Sequence, residues 1–178
     1  MPKVVMILVL VTATIWWAVG CGRESEPTAP ASGAGLPAGL ILTAAPAGGP
    51  LTVTEIKAGA KPGDAVIVRV VVGGSLNGVF MEDRAVVKVV DAVLNNPCLA
   101  GDNHCPTPWD YCCTPSEELR PHQATIRVAN AQDKTLGVSL RVPGQIEELK
   151  TLVVQGIVAA DSKENNLVIN AQGIFVEK

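Results

Sequence analysis

Two hydrophobic textures divide the chain. Residues 4–19, VVMILVLVTATIWWAV, are continuously apolar, whereas from residue 65 short β-branched runs alternate with turn-forming clusters. In AVIVRVVV (65–72), Val66, Val68, Val70 and Val72 share one face, and Ile67, Arg69 and Val71 the other. Both faces are largely apolar, which predicts a strand covered on both sides. VFMEDRAVVKVVDAVL (79–94) predicts a second strand, with Ala85, Val87 and Val89 on one face and Arg84, Val86, Lys88 and Val90 on the other. Its length calls for a bend or bulge.

Cleaner alternation follows. ATIRVA (124–129) turns Ala124, Ile126 and Val128 inward, and LGVSLRV (136–142) does the same with Leu136, Val138, Leu140 and Val142. With NAQDK between them, the two read as a hairpin. Pro143-Gly144 stops the pattern, and QIEELK (145–150) offers about one helical turn, with Ile146 and Leu149 on one side. TLVVQGIVAA (151–160) and NLVINAQGIFVE (166–177) predict two closing strands, with Gly173 marking a bulge. The expected fold is therefore all-β: a small barrel with one short helix, interrupted between its second and third long strands by an insertion at 92–122.

The order of two long strands, a hairpin, a short helix and two final strands resembles the OB-fold over about residues 60–177. The pieces TLVVQGIVAA and LVINAQGIFVEK are similar to the closing strands of tRNA-anticodon-type OB domains. That resemblance implies a curved five-stranded barrel with a helix before its last strand pair, and a ligand face on the second and third strands.

Composition changes the picture at the N-terminus. One positive residue, Lys3, precedes the apolar run, and Ala-Val-Gly precedes Cys21, the layout of a secretory signal. The small residues before Cys21 resemble the lipobox of bacterial lipoproteins, departing from it at Ala18, where leucine is usual. The resemblance implies cleavage after residue 20, acylation of Cys21, and an extracytoplasmic, membrane-anchored protein in the periplasm or cell envelope. The alternative is an uncleaved N-terminal span, since the run is at the short limit for crossing a bilayer. Residues 21–50, rich in Pro, Gly, Ala and Ser, read as a disordered tether, with GLILTA (39–44) as the one piece able to dock as a short strand. The domain proper is expected over 51–178, LTVTEIKAGA supplying a short strand or helical turn at its start.

Charge excludes one class of partner. The formal charge is −3, with 14 Lys and Arg against 17 Asp and Glu, and aromatic residues make up only 3% of the chain. A reader of nucleic acid needs clustered cations and aromatic stacking platforms. The predicted strands offer only Phe80 and Phe175, and their cations (Arg69, Arg84, Lys88, Arg127, Arg141) alternate singly with apolar residues. They read as solvated outer-face charges, so nucleic-acid or saccharide binding on the barrel is the weakest reading.

Candidate chemistry is confined to the insertion. NPCLAGDNHCPTPWDYCCTPSEE (96–118) carries Cys98, Cys105, Cys112 and Cys113. With Cys21 lipidated, four thiols remain in an oxidising compartment, a count that favours two disulfides. A direct Cys112–Cys113 bridge is strained, so Cys98 and Cys105 are each expected to reach one member of the vicinal pair. The alternative is a metal site or a thiol-redox site on the same four cysteines. Asp102, His104, Asp110 and His122 are possible additional ligands, and zinc, copper or iron are suited ions. Trp109 and Tyr111 are expected on the loop surface. TPWDYCC also resembles a stretch of uncharacterised bacterial lipoproteins with an OB-like domain, a likeness that implies the fold and no activity.

No catalytic residue emerges: GxSxG, HExxH and P-loop motifs are absent from the sequence. The acidic pairs Glu82-Asp83 and Glu147-Glu148 point their carboxylates apart. The leading functional expectation is a non-enzymatic binding module without cofactor, meeting the membrane through its lipid and an unidentified protein or small ligand through its loop.

Overall fold

The computed structural model describes residues 35–100 and 105–178. Cys21, the signal segment, Asp102 and His104 lie outside the described residues. Six strands form one sheet: β1 (Ala65–Val72), β2 (Phe80–Met81), β3 (Arg84–Asp91), β4 (Gln123–Arg127), β5 (Thr151–Val158) and β6 (Leu167–Val176). Among the described residues two short helices accompany them, α1 (Val53–Gly59) and α2 (Ser116–His122).

The sheet runs β1-β5-β6-β4-β3 and closes through a β1–β3 pairing at Val70↔Asp91, Val71↔Val90 and Val72↔Val89. All pairings among these five strands are antiparallel except β4–β6. A closed five-stranded barrel with this order is an OB-like barrel, as the strand texture predicted. Its interior is filled by one face of each strand: Val68, Val70, Val72, Val87, Val89 and Ile126, each on a face singled out from the sequence, and Leu152, Val154, Ile169 and Ile174 are fully buried. A tight turn at Glu82-Asp83 splits the expected second strand into β2 and β3, and the β2–β3 register shifts between Phe80 and Met81. The β5–β6 register also shifts, with Gln155 opposite Gly173 and Gly156 opposite Ala171, so the extra residue is Gln172, next to Gly173.

Three expectations are corrected. The 124–129/136–142 hairpin reduces to an isolated Ala129↔Thr135 bridge, because both edges of β4 are already taken by β3 and β6. Alternation marked an extended segment with one face inward, and Leu140 and Val142 are buried, but no ladder partner is left for it. QIEELK is a turn rather than a helix: Val142 bridges Ile146, and Leu149 sits at φ 63°. The single helix expected before the last strand pair is absent, and the two helices lie instead before β1 and before β4.

The chain also packs on the barrel before residue 51. Leu36 and Leu40 join the core, Ile41 bridges Ile174, and Leu42 N–H donates to the Ile174 carbonyl at 2.8 Å. A tether reaching residue 50 is therefore too long by these residues.

α1 begins with a capping box, Thr52 and Glu55 bonding each other's backbone N–H. Its Val53 and Ile56 enter the core. The Asp91 side chain, at the end of β3 and fully buried, accepts from the N–H groups of Val53 and Thr54 and bonds His122 Nδ1 at 2.9 Å. One carboxylate thus ties the start of α1, the end of β3 and the end of α2 together.

Candidate metal centre

The loop between β3 and β4 docks on the outside of the barrel through a second, small core. Tyr111 and Leu119 pack against Val90, with Val71 and Leu94 alongside. This explains why β1 and β3 are apolar on both faces: one lines the barrel, the other receives the loop. Two glycines after β1 allow the close approach. Gly74 N–H donates to the Trp109 carbonyl at 2.8 Å, and a Cβ on Gly73 would stand 2.6 Å from that same oxygen.

Within the loop, short polar turns set the sulfurs. Asn96 accepts from Cys98 N–H at 3.0 Å through its side-chain oxygen and donates to the Pro108 carbonyl at 2.8 Å. That one amide joins the 3-10 turn Pro97–Leu99 to the 3-10 turn Pro108–Asp110. Asp110 accepts from Thr107 Oγ1 at 2.7 Å and from Cys112 N–H at 2.8 Å. Tyr111 takes the left-handed conformation, φ 60°, and Thr114 N–H closes the turn on the Tyr111 carbonyl at 2.9 Å. The chain thereby reverses at the vicinal pair.

All four sulfurs converge. Cys98, Cys105, Cys112 and Cys113 place their Sγ atoms within 4.8 Å of one another. The separations are 3.4 Å for Cys105–Cys112, 3.6 Å for Cys98–Cys112 and 3.8 Å for Cys112–Cys113. None of these is a disulfide, whose sulfurs lie about 2.05 Å apart. The three, all meeting at Cys112, are close to the edges of a tetrahedron around a metal: bonds of about 2.3 Å to sulfur imply sulfurs about 3.8 Å apart. The left-handed turn at Tyr111 brings the sulfurs of the adjacent Cys112 and Cys113 to the same point.

Hydrogen bonding favours ionisation of the inner sulfur over the outer, vicinal pair. Burial pushes the Cys98 thiol up, but hydrogen bonds from the Cys113 side chain and N–H, and from Cys112 and Cys105, outweigh it and hold Cys98 below its usual range. The Cys113 N–H lies 3.4 Å from Cys98 Sγ. Cys112 is driven far up by its bonds to Cys105, the Asp110 carboxylate and Cys98, and Cys113 is raised chiefly by Cys98. Burial pushes Asp110 up, while the Thr107 hydroxyl and the Cys112 N–H and thiol outweigh it and hold the carboxyl low. A cation bound here would displace thiol protons. Cys98 forms its buried floor, Cys105 is half-buried, and Cys112 and Cys113 are exposed.

The other expected residues divide. Asp110 orients the Cys112 backbone, a supporting role. His122 is turned to Asp91 and belongs to the α1–α2 junction. Tyr111 is 2% exposed and Trp109 packs half-buried against the barrel core, which corrects their placement on the loop surface: with so few aromatics, the loop spends both on docking. Sequence reasoning passed over Asp91, Asn96 and Gly73-Gly74. The available signals were a carboxylate inside a valine run and an Asn-Pro-Cys turn.

Comparison with protein-family models, with curated proteins and with solved structures gave no match to this chain.

Proposed function

We propose that this protein is a non-enzymatic, metal-binding module: an OB-like barrel whose inserted loop holds one ion, zinc by preference, through Cys98, Cys105, Cys112 and Cys113. The observation that carries this reading is the convergence of four sulfurs within 4.8 Å of one another, with Cys112 at 3.4–3.8 Å from the other three. Four sulfurs around one point suit a mononuclear tetrahedral ion; a cluster spreads its cysteines over several metals. Four protein ligands make a closed site, the structural kind, which keeps no position for substrate. The ion's work is to staple a loop that buries little.

The N-terminal signal and Cys21 support an extracytoplasmic, lipid-anchored placement, where a bound ion also keeps the thiols from oxidising. Nucleic acid is a poor partner: Arg69, Arg127 and Arg141 are engaged by Glu177, by Asp133 and Asp161, and by Glu148.

Metal analysis with thiol titration of the purified chain decides. The expected result is one zinc per chain, four thiols that react only after chelation, and a cobalt-substituted form with tetrathiolate absorption. Two disulfides and no ion, with no metal uptake after reduction, would return the loop to a disulfide-bonded scaffold.

A further inference from the structure

The outer side of the β3–β4 pair carries a second polar feature, independent of the sulfur site. Lys88 and Thr125 are cross-strand partners there, and Lys88 Nζ donates to Thr125 Oγ1 at 2.8 Å. A cavity of about 100 Å³ opens at this point, walled by Gly74, Ser75, Lys88, Gln123, Thr125 and Asn166 among others, with no Asp or Glu in its lining. The Gln123 side-chain amide is fixed by donating to the Gly74 carbonyl, and Thr125 is buried.

Lys88 contrasts with the arginines of the barrel. Arg69, Arg127 and Arg141 each meet a carboxylate, whereas the ion pairs among the described residues do not include Lys88. Burial lowers its pKa, and no neighbouring acid offsets this. A half-buried ammonium carries three donors and is normally paired; here one donor meets a neutral hydroxyl.

We propose that the cavity at Lys88 binds a small anion, a free carboxylate or phosphate group, held by the Lys88 ammonium and the Ser75, Thr125 and Asn166 side chains. The volume decides the size class: drug-sized ligands need roughly 300 Å³ or more. Only a small anion, or the charged head of a larger molecule, fits.

The test is a titration of the full chain, followed by amide NMR, with inorganic phosphate and with acetate at constant ionic strength. The expected result is a saturable shift of the Lys88, Ser75 and Gln123 signals with one or both anions. The tighter of the two assigns phosphate or carboxylate. Lys88→Met is expected to weaken binding by about tenfold or more, and Lys134→Gln, an exposed charge elsewhere, to leave it unchanged. If Lys88→Met unfolds, Lys88→Gln repeats the comparison with a polar head retained. No saturable shift with either anion, or equal affinity without the Lys88 charge, overturns the assignment. Because the shifts are read on the barrel, failure here leaves the sulfur site untouched.

Discussion

The barrel and the cysteine loop are held by different forces. The barrel buries an almost unbroken set of valines, isoleucines and leucines and closes a hydrogen-bonded ladder on itself. The loop buries the apolar side chains of Cys98, Tyr111 and Leu119 and otherwise relies on side-chain caps and converging sulfurs. The first region is fixed by area removed from water, the second by a few specific bonds. It follows that the two should fail separately, and each variant below asks whether they do.

The largest effect is expected in the barrel. Ile126, in β4, is fully buried, and Ile126→Ala leaves a cavity costing about 2–5 kcal/mol. Chemical unfolding measures it. Below the unfolding midpoint the variant should still bind metal in the wild-type ratio. Loss of metal from a still-folded barrel would mean that the loop takes its geometry from the core.

Asp91 is where the two regions touch, and it comes second. Asp91→Ala leaves the Val53 and Thr54 N–H groups and His122 without their acceptor, at about 1–3 kcal/mol. Hydrogen exchange should rise in α1 and at the end of α2 together. A rise confined to α1 would show that the His122 bond does not anchor the loop.

Cys98→Ser reverses the first experiment. With the buried ligand replaced, the loop should lose its ion and its exchange protection, while the barrel's unfolding free energy changes by under about 1 kcal/mol. Equal loss in both regions would make the ion part of the barrel's stability.

These differences also explain what the sequence revealed. Period-two alternation of β-branched residues is a local imprint of a strand with one buried face, so β1, β3, β4, β5 and β6 were visible. The pattern does not say whether an edge is free, and so 136–142 read as a strand although β4 had no edge to offer it. Likewise Gly, Ala and Pro around residues 35–50 hid Leu36, which packs in the core, whereas GLILTA stood out and does dock, through Leu40 and the Ile41 bridge to Ile174. At the site, spacing alone left disulfide and metal open. The left-handed turn at Tyr111, which brings adjacent cysteines to one point, has no signature in residue type.

The smallest effect tests the barrel's surface. Arg141 bonds Glu148 with both guanidinium nitrogens and lies 4.3 Å from the centroid of the Phe80 ring. Its guanidinium holds the Glu148 carboxyl below the usual range. A depressed folded pKa contributes stability that is present above the unfolded value, about 4.3, and is lost as pH falls through the folded value. The Arg141 side chain is 38% exposed, so screening keeps the contribution under about 1 kcal/mol. Glu148→Gln should therefore lower the unfolding midpoint slightly at pH 7, and the gap from wild type should close toward pH 3. Arg141→Ala should keep part of its loss at pH 3, because the cation over Phe80 does not titrate there. A Glu148→Gln deficit that stays constant across this range would trace to packing of the 145–150 turn rather than to charge.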